Sequence, residues 1–497
     1  MQALIFVLGV WCALASLGSS AQNHGARQKL HPAFIIKQPT GNTSSEHWQP
    51  FFRGADVQRI PQAGRGGLLK YCRHALNSSF LGLDEAAIGH TRYEHEMAAP
   101  VSTLGQLQHA QTLMNACLVQ EECFGHTEQH PDPPMSVSAE VCNQTDLLDS
   151  LFNKRMMLGR GFNITNLCSA DAISTWCNTS TAHDARCRAY QTHTIPQEVP
   201  VVAAFANTYI TPFGDVFVKD YVFKPVGPCL SQFQAKHAAG DIPRYHEVVV
   251  ATAFYGHEVY HSLIENLPRL MAVWDELVAR PEVMITTGSN KAMTEYLQFM
   301  GISRDRVKSG NMHASIAYVP NPGGCGNSPG PRYIQQLRQR MHRALKSRSP
   351  DLSDTRDSIV IIQRSRKTRN LHNHAQLVAA VQQRYPQAKV QVFKDNPPPN
   401  ILEVARMFYS ARVIIAPHGA GLSNMVLAQQ SATVIEILIK PVVTCFMDLA
   451  RELGNEYHGV FGNATSQTAP MYANVTEVLE LLTPLFANDT SQSAVTV

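Results

Sequence analysis

A chain of 497 residues with 44% apolar and 16% charged residues has the material for two or more buried cores and no signature of disorder. Its 42 Lys and Arg against 39 Asp and Glu, a net charge of +3, lack the basic excess of a dedicated nucleic-acid binder. The charge is uneven, however: residues 331–370 hold eleven Lys and Arg against three Asp. Such a block points to a site for a small anion, or, over its helical part 331–348, to a solvated helix face.

The first element in chain order is an apolar run, Ala3 to Leu17, with no charged residue before Arg27. It is short of the roughly 20 residues of a membrane span and suits a signal-peptide core. Ser19-Ser20-Ala21 supplies small residues for cleavage before Gln22. Residues 1–21 therefore read as a signal peptide or a short membrane anchor. N-x-[ST] sequons occur at Asn42, Asn77, Asn143, Asn163, Asn178, Asn463, Asn474 and Asn488, and none lies between 179 and 462. Of the eleven cysteines, eight fall between Cys72 and Cys229, which in a secreted chain reads as a disulfide framework. Cys12 lies in the leader run, so Cys325 and Cys445 remain, to pair or to stay as buried thiols. Residues 22–200 thus form a Cys-rich, loop-rich luminal region, and the expected location is the secretory pathway lumen, Golgi or endoplasmic reticulum, or outside the cell.

From 201 the pattern becomes regular. Val201–Phe205, Val216–Phe223 and Glu247–Phe254 are β-rich, a helical pattern runs from about His257 to Ala279, and Val283–Thr287 reads as a strand. Lys291–Met300 is a predicted helix and Ala314–Val319 a strand, before a turn-dense stretch at 322–330. Tyr333–Lys346 is a basic helix within a linker at 331–349. Strands are then expected at Ser358–Gln363, Val390–Phe393, Val413–Ala416 and Val434–Leu438. They alternate with helices at His374–Arg384, Ile401–Ser410 and Phe446–Leu453, and a helix at Val475–Phe486 closes the unit. Alternating apolar strands and helices imply a doubly wound parallel sheet. The expected fold class is α/β: two facing Rossmann-like lobes, 201–330 and 350–487, behind a disulfide-bearing N-terminal region, with a tail at 488–497.

Three constellations carry chemistry. In Val413-Ile-Ile-Ala-Pro-His418-Gly419-Ala420-Gly421-Leu422-Ser423-Asn424 an apolar strand meets a glycine turn and a helix start, where free N–H groups attract phosphate. Glu436 ends the next strand, placed to accept from ribose hydroxyls. Arg364 and Arg369 follow the first strand of the same sheet, and forked guanidinium contacts suit a diphosphate. The third runs from His257 to Leu270. His257-Glu258-x-x-His261 matches the zinc-protease pattern, with Glu276 or Glu282 open as a third ligand, though the longer zincin extension is absent. In the same helix His261 and Glu265 share a face at i,i+4, and a carboxylate held by an imidazole serves as a general base. Gly326-Asn-Ser-Pro-Gly330 is no nucleophile elbow, since Pro329 lacks the N–H an oxyanion hole needs.

His261-x-x-x-Glu265-x-Leu-Pro-Arg-Leu270, Arg369-x-Leu-x-Asn373, Pro417-His-Gly-Ala-Gly-Leu-Ser-Asn424 and Val434-Ile-Glu-Ile437, in that order, resemble glycosyltransferase family 61. That group includes plant β-1,2-xylosyltransferase and the EGF-domain O-linked N-acetylglucosamine transferase, and the resemblance covers about 245 to 485. It implies an inverting, two-lobed (GT-B type) enzyme that moves xylose or N-acetylglucosamine from a UDP-sugar to a glycan or glycoprotein hydroxyl. The UDP-sugar would be a co-substrate, with no cofactor required, no metal ligand assigned and dependence on a divalent metal left open. Carried over by position, Arg364, Arg369, His418, Gly419, Ala420, Gly421, Asn424 and Glu436 would hold the donor, while Glu265 with His261 would be catalytic on the acceptor side. The readings set against this one are a secreted zinc metalloprotease and a catalytically silent glycan-binding glycoprotein.

Overall fold

The computed structural model describes residues 58–61, 69, 70, 72, 73, 99–101, 116–122, 135–137, 201–218, 221–223, 225, 242–321, 328–365, 368–439, 443–464 and 469–487. The leader, the tail, Cys325 and six of the eight sequons lie outside them. Asn463 and Asn474 are exposed. The cysteines of the expected disulfide framework also fall largely outside. Cys445 is buried at the start of a helix.

Two sheets organise the chain. The first takes β1 (Gln58–Pro61), β2 (Ala99–Val101), β3 (Ala116–Glu122), β5 (Val201–Ile210), β6 (Val216–Val218), β7 (Tyr221–Phe223) and β8 (Arg244–Val250). It is completed by β9 (Met284–Thr286), β10 (Val307–Lys308) and β11 (Met312–Pro320). Its path is β10-β9-β8-β11-β5-β6-β7-β2, with β3 also on β5 and β1 on β3. The second holds β4 (Met135–Val137), β12 (Ser358–Gln363), β13 (Lys389–Lys394), β14 (Ala411–Pro417), β15 (Thr433–Leu438) and β16 (Glu456–Phe461), in the order β13-β12-β14-β15-β16-β4. Every neighbouring pair in the second sheet is parallel. The helices are α1 (Trp274–Ala279), α2 (Lys291–Phe299), α3 (Pro331–Arg348), α4 (His374–Arg384), α5 (Ile401–Tyr409), α6 (Cys445–Glu452) and α7 (Val475–Phe486).

The second sheet is the doubly wound unit the alternating pattern implies. β12 and β15 are buried almost end to end, as strands covered on both faces must be, which is why they read as continuous apolar runs. The first sheet departs from expectation. The Rossmann-like part is the parallel run β10-β9-β8-β11; β5 runs antiparallel to β11 and continues into the antiparallel β6 and β7, beyond which β2 pairs parallel with β7 and β1 with β3. The region 22–200 also does not stand apart, because β1, β2 and β3 join the first sheet and β4 the far edge of the second.

The basic segment 331–349 is more than a linker. Tyr333, Ile334, Leu337, Met341 and Leu345 of α3 are buried in one continuous apolar core that includes Val249 and Leu263 of the first unit and Ile362 and Phe446 of the second. Three of its cations have local partners: Arg338 donates to Leu453 O (2.5 Å), Arg340 to Asp275 (2.8 Å) and Lys346 to Asp354 (2.9 Å). So the helical part of the basic block braces the joint between the two units.

Each sheet reverses its strand order once. In the first, β8, β9 and β10 advance in one direction and β11 returns beside β8. In the second, β13 lies on one side of β12 and β14 on the other. Ligands of open α/β sheets bind beyond the carboxyl ends of the strands at such reversals. The two places to look are therefore the loops after β8 and β11, and those after β12 and β14.

Candidate active site

Beyond β8 the chain turns sharply at Gly256 before the His261 helix. A Cβ on Gly256 would lie 2.1 Å from Thr252 Oγ1, and one on Gly288 would lie 2.6 Å from Gly256 C, so two turns pack backbone to backbone. Asn290 fastens them, donating to His257 O (2.9 Å) and Ser262 Oγ (2.7 Å) while accepting from Met293 N to cap α2. The predicted helix over 257–279 is accordingly split. His257 and Glu258 stay in the turn, His261–Asn266 forms a π-helical turn, Leu267–Val273 is 3-10, and Trp274–Ala279 is α. Pro268 supplies a local cause, having no N–H to continue an α ladder, and single π turns concentrate at functional sites.

Within the π turn His261 Nδ1 meets Glu265 Oε1 at 2.8 Å. Glu265 is buried, 2% exposed, while the imidazole keeps 13% and stacks on Tyr255 at 5.0 Å between ring centroids. The carboxylate therefore lies within hydrogen-bond reach of Nδ1 and is placed to hold the tautomer that carries Nδ1–H. Arg269, four residues on, straps the strand ends together. It donates to Pro320 O (3.0 Å) after β11, Val250 O (3.5 Å) after β8 and Asn266 Oδ1 (3.3 Å). Burial lowers its pKa to about 10, against which the Glu265 carboxylate acts. Replacing Arg269 by Met is expected to destabilise the protein by about 2–4 kcal/mol in urea unfolding, because buried carbonyls lose their donor and Glu265 its counter-charge.

At the second reversal Arg364, just past β12, reaches the turn after β14. Its Nη1 donates to His418 O (3.4 Å), and a Cβ on Gly419 would fall 1.4 Å from that same atom. Glycine is needed there for the guanidinium to lie against the backbone. Leu422 N donates to Gly419 O (2.9 Å), closing the turn into a 3-10 helix over Ala420–Leu427, with Ala420 half-buried at its start. Arg369 lies further along the loop after β12, half-buried in a left-handed backbone (φ 55°), ahead of the Leu371–Met471 bridge. A bulky residue rarely takes that conformation without a local reason.

Three of the sequence-predicted donor residues turn out to be committed inside the protein. A Cβ on Gly421 would meet Ile362 Cγ2 at 2.9 Å, so this glycine serves helix-to-sheet packing and not backbone approach to a ligand. Gly421→Val is thus expected to act on folding, lowering the unfolding midpoint by the equivalent of about 1–3 kcal/mol. Asn424 accepts from Tyr296 of α2 (2.7 Å) and donates to Gly421 O (3.0 Å), tying the turn to the first unit. Glu436 is fully buried, 0% exposed, with Oε1 on His418 Nδ1 (2.5 Å) and Oε2 accepting from Tyr457 OH (2.8 Å). Both oxygens are occupied, so its geometry is that of a residue orienting His418 and not of one offered to a ribose. The alternation along β15 explains the placement: Val434, Glu436 and Leu438 face the helices between the units, and Ile435 and Ile437 face the other way.

The two histidines are joined through rings. Phe446 of α6 lies edge-on to His418 (5.2 Å) and to Tyr260 (5.3 Å), and Tyr260 lies edge-on to His261 (5.5 Å). Phe446, Tyr260, Tyr296, Tyr457, Asn290 and Ser262 escape a motif reading. Only Asn290 has a local signal, as a helix cap. The zinc pattern does not assemble. His257 lies outside the helix, His261 Nδ1 faces Glu265, Glu276 accepts from Leu69 N and Lys70 N, and Glu282 accepts from Arg280. Among the described residues no group of three His, Cys, Asp or Glu side chains is arranged to hold a metal ion.

A comparison with curated proteins returned no match. A comparison with family models matched one, Glycosyltransferase 61, over residues 259–435. That span opens just before the His261–Glu265 pair, includes Arg269, Arg364 and the His418–Asn424 turn, and closes at the residue before Glu436. Through residues 259–435 the chain is similar to glycosyltransferase family 61.

Proposed function

We propose that the protein is an inverting, UDP-sugar-dependent transferase of GT-B type that glycosylates a glycan or glycoprotein hydroxyl in the secretory pathway. The observation that supports this most is the paired arrangement of His261–Glu265 and Arg364–His418–Gly419. Each lies beyond a strand-order reversal of its own sheet, and Tyr260 and Phe446 connect them. One side offers a proton acceptor, the other cations and free N–H groups for a diphosphate.

In this reading the donor diphosphate lies over the turn after β14, held by Arg364, Arg369, His418 and the N–H groups that open the 3-10 helix. The acceptor hydroxyl approaches from His261. As its oxygen forms the new bond to the anomeric carbon, the bond to the UDP oxygen breaks on the opposite face, and the hydroxyl proton passes to His261 Nε2. Glu265 holds Nδ1–H and stabilises the imidazolium that results. The cations of the turn provide the charge compensation that a divalent ion would otherwise supply. The leader-like run Ala3–Leu17 and the sequons support a luminal location. Among the described residues no helix is long and apolar enough to cross a membrane.

The test is a screen of UDP-xylose, UDP-N-acetylglucosamine and other UDP-sugars for UDP release, with and without chelator. Mannose-cored N-glycans and folded EGF-like domains then serve as acceptors, read by mass. Release with one donor and a matching mass increment on one acceptor supports the proposal. Glycan binding without any UDP release would instead leave the silent glycan-binding reading.

A further inference from the structure

The His261–Glu265 pair and the turn after β14 belong to different sheets, so neither loop by itself fixes the distance between them. Helix α2 is bonded to both. At its start Asn290 caps the helix and donates to His257 O (2.9 Å) and to Ser262 Oγ (2.7 Å), the residue beside His261. Ser262 in turn donates to Glu258 O (2.6 Å), so the cap grips the turn that carries the pair. Six residues on, about 9 Å along the helix axis, Tyr296 donates to Asn424 Oδ1 (2.7 Å). Asn424 Nδ2 then donates to Gly421 O (3.0 Å) in the turn after β14. Burial, with Glu295 behind it, raises the Tyr296 pKa, which keeps the phenol a donor. Asn290, Ser262, Tyr296 and Asn424 are all buried. Met293, Leu297 and Phe299 of the same helix lie in the apolar core that runs through both units. Apolar burial is non-directional and holds the helix without fixing its register. Directional hydrogen bonds at its two ends fix that register.

We propose that α2 is the spacer that sets the proton acceptor at its working distance from the donor turn, with Asn290 and Tyr296 as positioning residues at its two ends. The inference rests on the donor and acceptor assignments above and extends them to residues given no substrate contact. In-line transfer needs the hydroxyl oxygen, the anomeric carbon and the departing UDP oxygen on one line. A displacement of about 1 Å costs up to about 100-fold in rate. Loosening either end of α2 therefore acts on turnover and spares ligand affinity, because each turn keeps its own binding groups.

The experiment combines calorimetric UDP titrations with transfer kinetics on the full chain, using UDP-xylose or UDP-N-acetylglucosamine as donor. Tyr296→Phe keeps the ring and removes the hydroxyl, and Asn290→Ser keeps a cap for α2. Each should lower kcat about 10-fold or more while acceptor KM and UDP affinity stay within about 2-fold. The double variant should lose little beyond the larger single loss, since a spacer released at one end no longer carries position from the other. Unchanged kcat in Tyr296→Phe, a loss that lies in KM or UDP affinity, or additive losses in the double variant would overturn the proposal and leave α2 a packing element. If Asn290→Ser does not fold, Tyr296→Phe paired with Asn424→Leu supplies the second double variant, decided by the same criteria. An unmodified protein that binds no UDP and transfers no sugar would instead reject the donor and acceptor assignments, and the spacer with them, a result distinct from all of these.

Discussion

Glu265→Gln is expected to lower turnover by about 100-fold or more while UDP-sugar affinity is retained. The amide keeps the shape of the side chain and loses the charge that fixes the His261 tautomer and steadies the imidazolium. His261→Gln should fall by a similar factor, and the double variant by little more than either, because the two act as one unit at 2.8 Å. Glu258 is the control. It is 31% exposed, lies in the turn before the helix, and faces His257 at 3.8 Å. Glu258→Gln should therefore cost far less. Steady-state kinetics with a saturating acceptor, alongside donor titrations, separates the cases. If Glu258→Gln collapses turnover and Glu265→Gln does not, the base lies one turn earlier and the dyad assignment fails.

The second large effect is expected at the donor turn. Arg364→Ala should weaken UDP binding by about 10- to 100-fold, the equivalent of roughly 1.5–3 kcal/mol for a charge-assisted contact. Arg369→Ala should act in the same direction. Gly419→Ala offers an independent check, because its Cβ would take the space of the Arg364 guanidinium without removing any charge. The arginine is the far end of a flexible side chain, so the protein should fold and the guanidinium should swing away. Combining Gly419→Ala with Arg364→Ala should then give little beyond the single arginine change. Unaltered UDP affinity in Arg364→Ala would remove this arginine from the donor site.

Much of the second unit is legible as sequence because its determinants are local. Ser358–Gln363, His374–Arg384 and Val475–Phe486 fall where hydrophobic periodicity and caps put them. Asn400 and Asn474 accept from Glu403 N and Glu477 N at the starts of α5 and α7. A parallel strand covered on both faces is an unbroken apolar run, and few other elements read that way. β16 is missed because Glu456, His458 and Gly459 interrupt its apolar pattern, and it is a strand only because β15 lies beside it. The four strands drawn from 58–137 are missed for a related reason: three to seven residues carry little periodicity, and their pairing is entirely long-range.

The sequence by itself determined the alternating α/β character of 350–487, the His261–Glu265 pair and the glycine turn after β14, since each depends on residues within one turn or one loop of each other. Tertiary structure decided what those residues do. Arg364 meets Gly419 because β12 and β14 are neighbours at a strand-order reversal, and spacing along the chain says nothing of that. Glu436 supports His418, Asn424 holds Tyr296 and Gly421 packs on Ile362 because a carboxylate, an amide or a bare backbone takes its role from what burial brings within 3 Å of it. A buried polar group must be paired, and which partner satisfies it is settled only when separate strands and helices close around it.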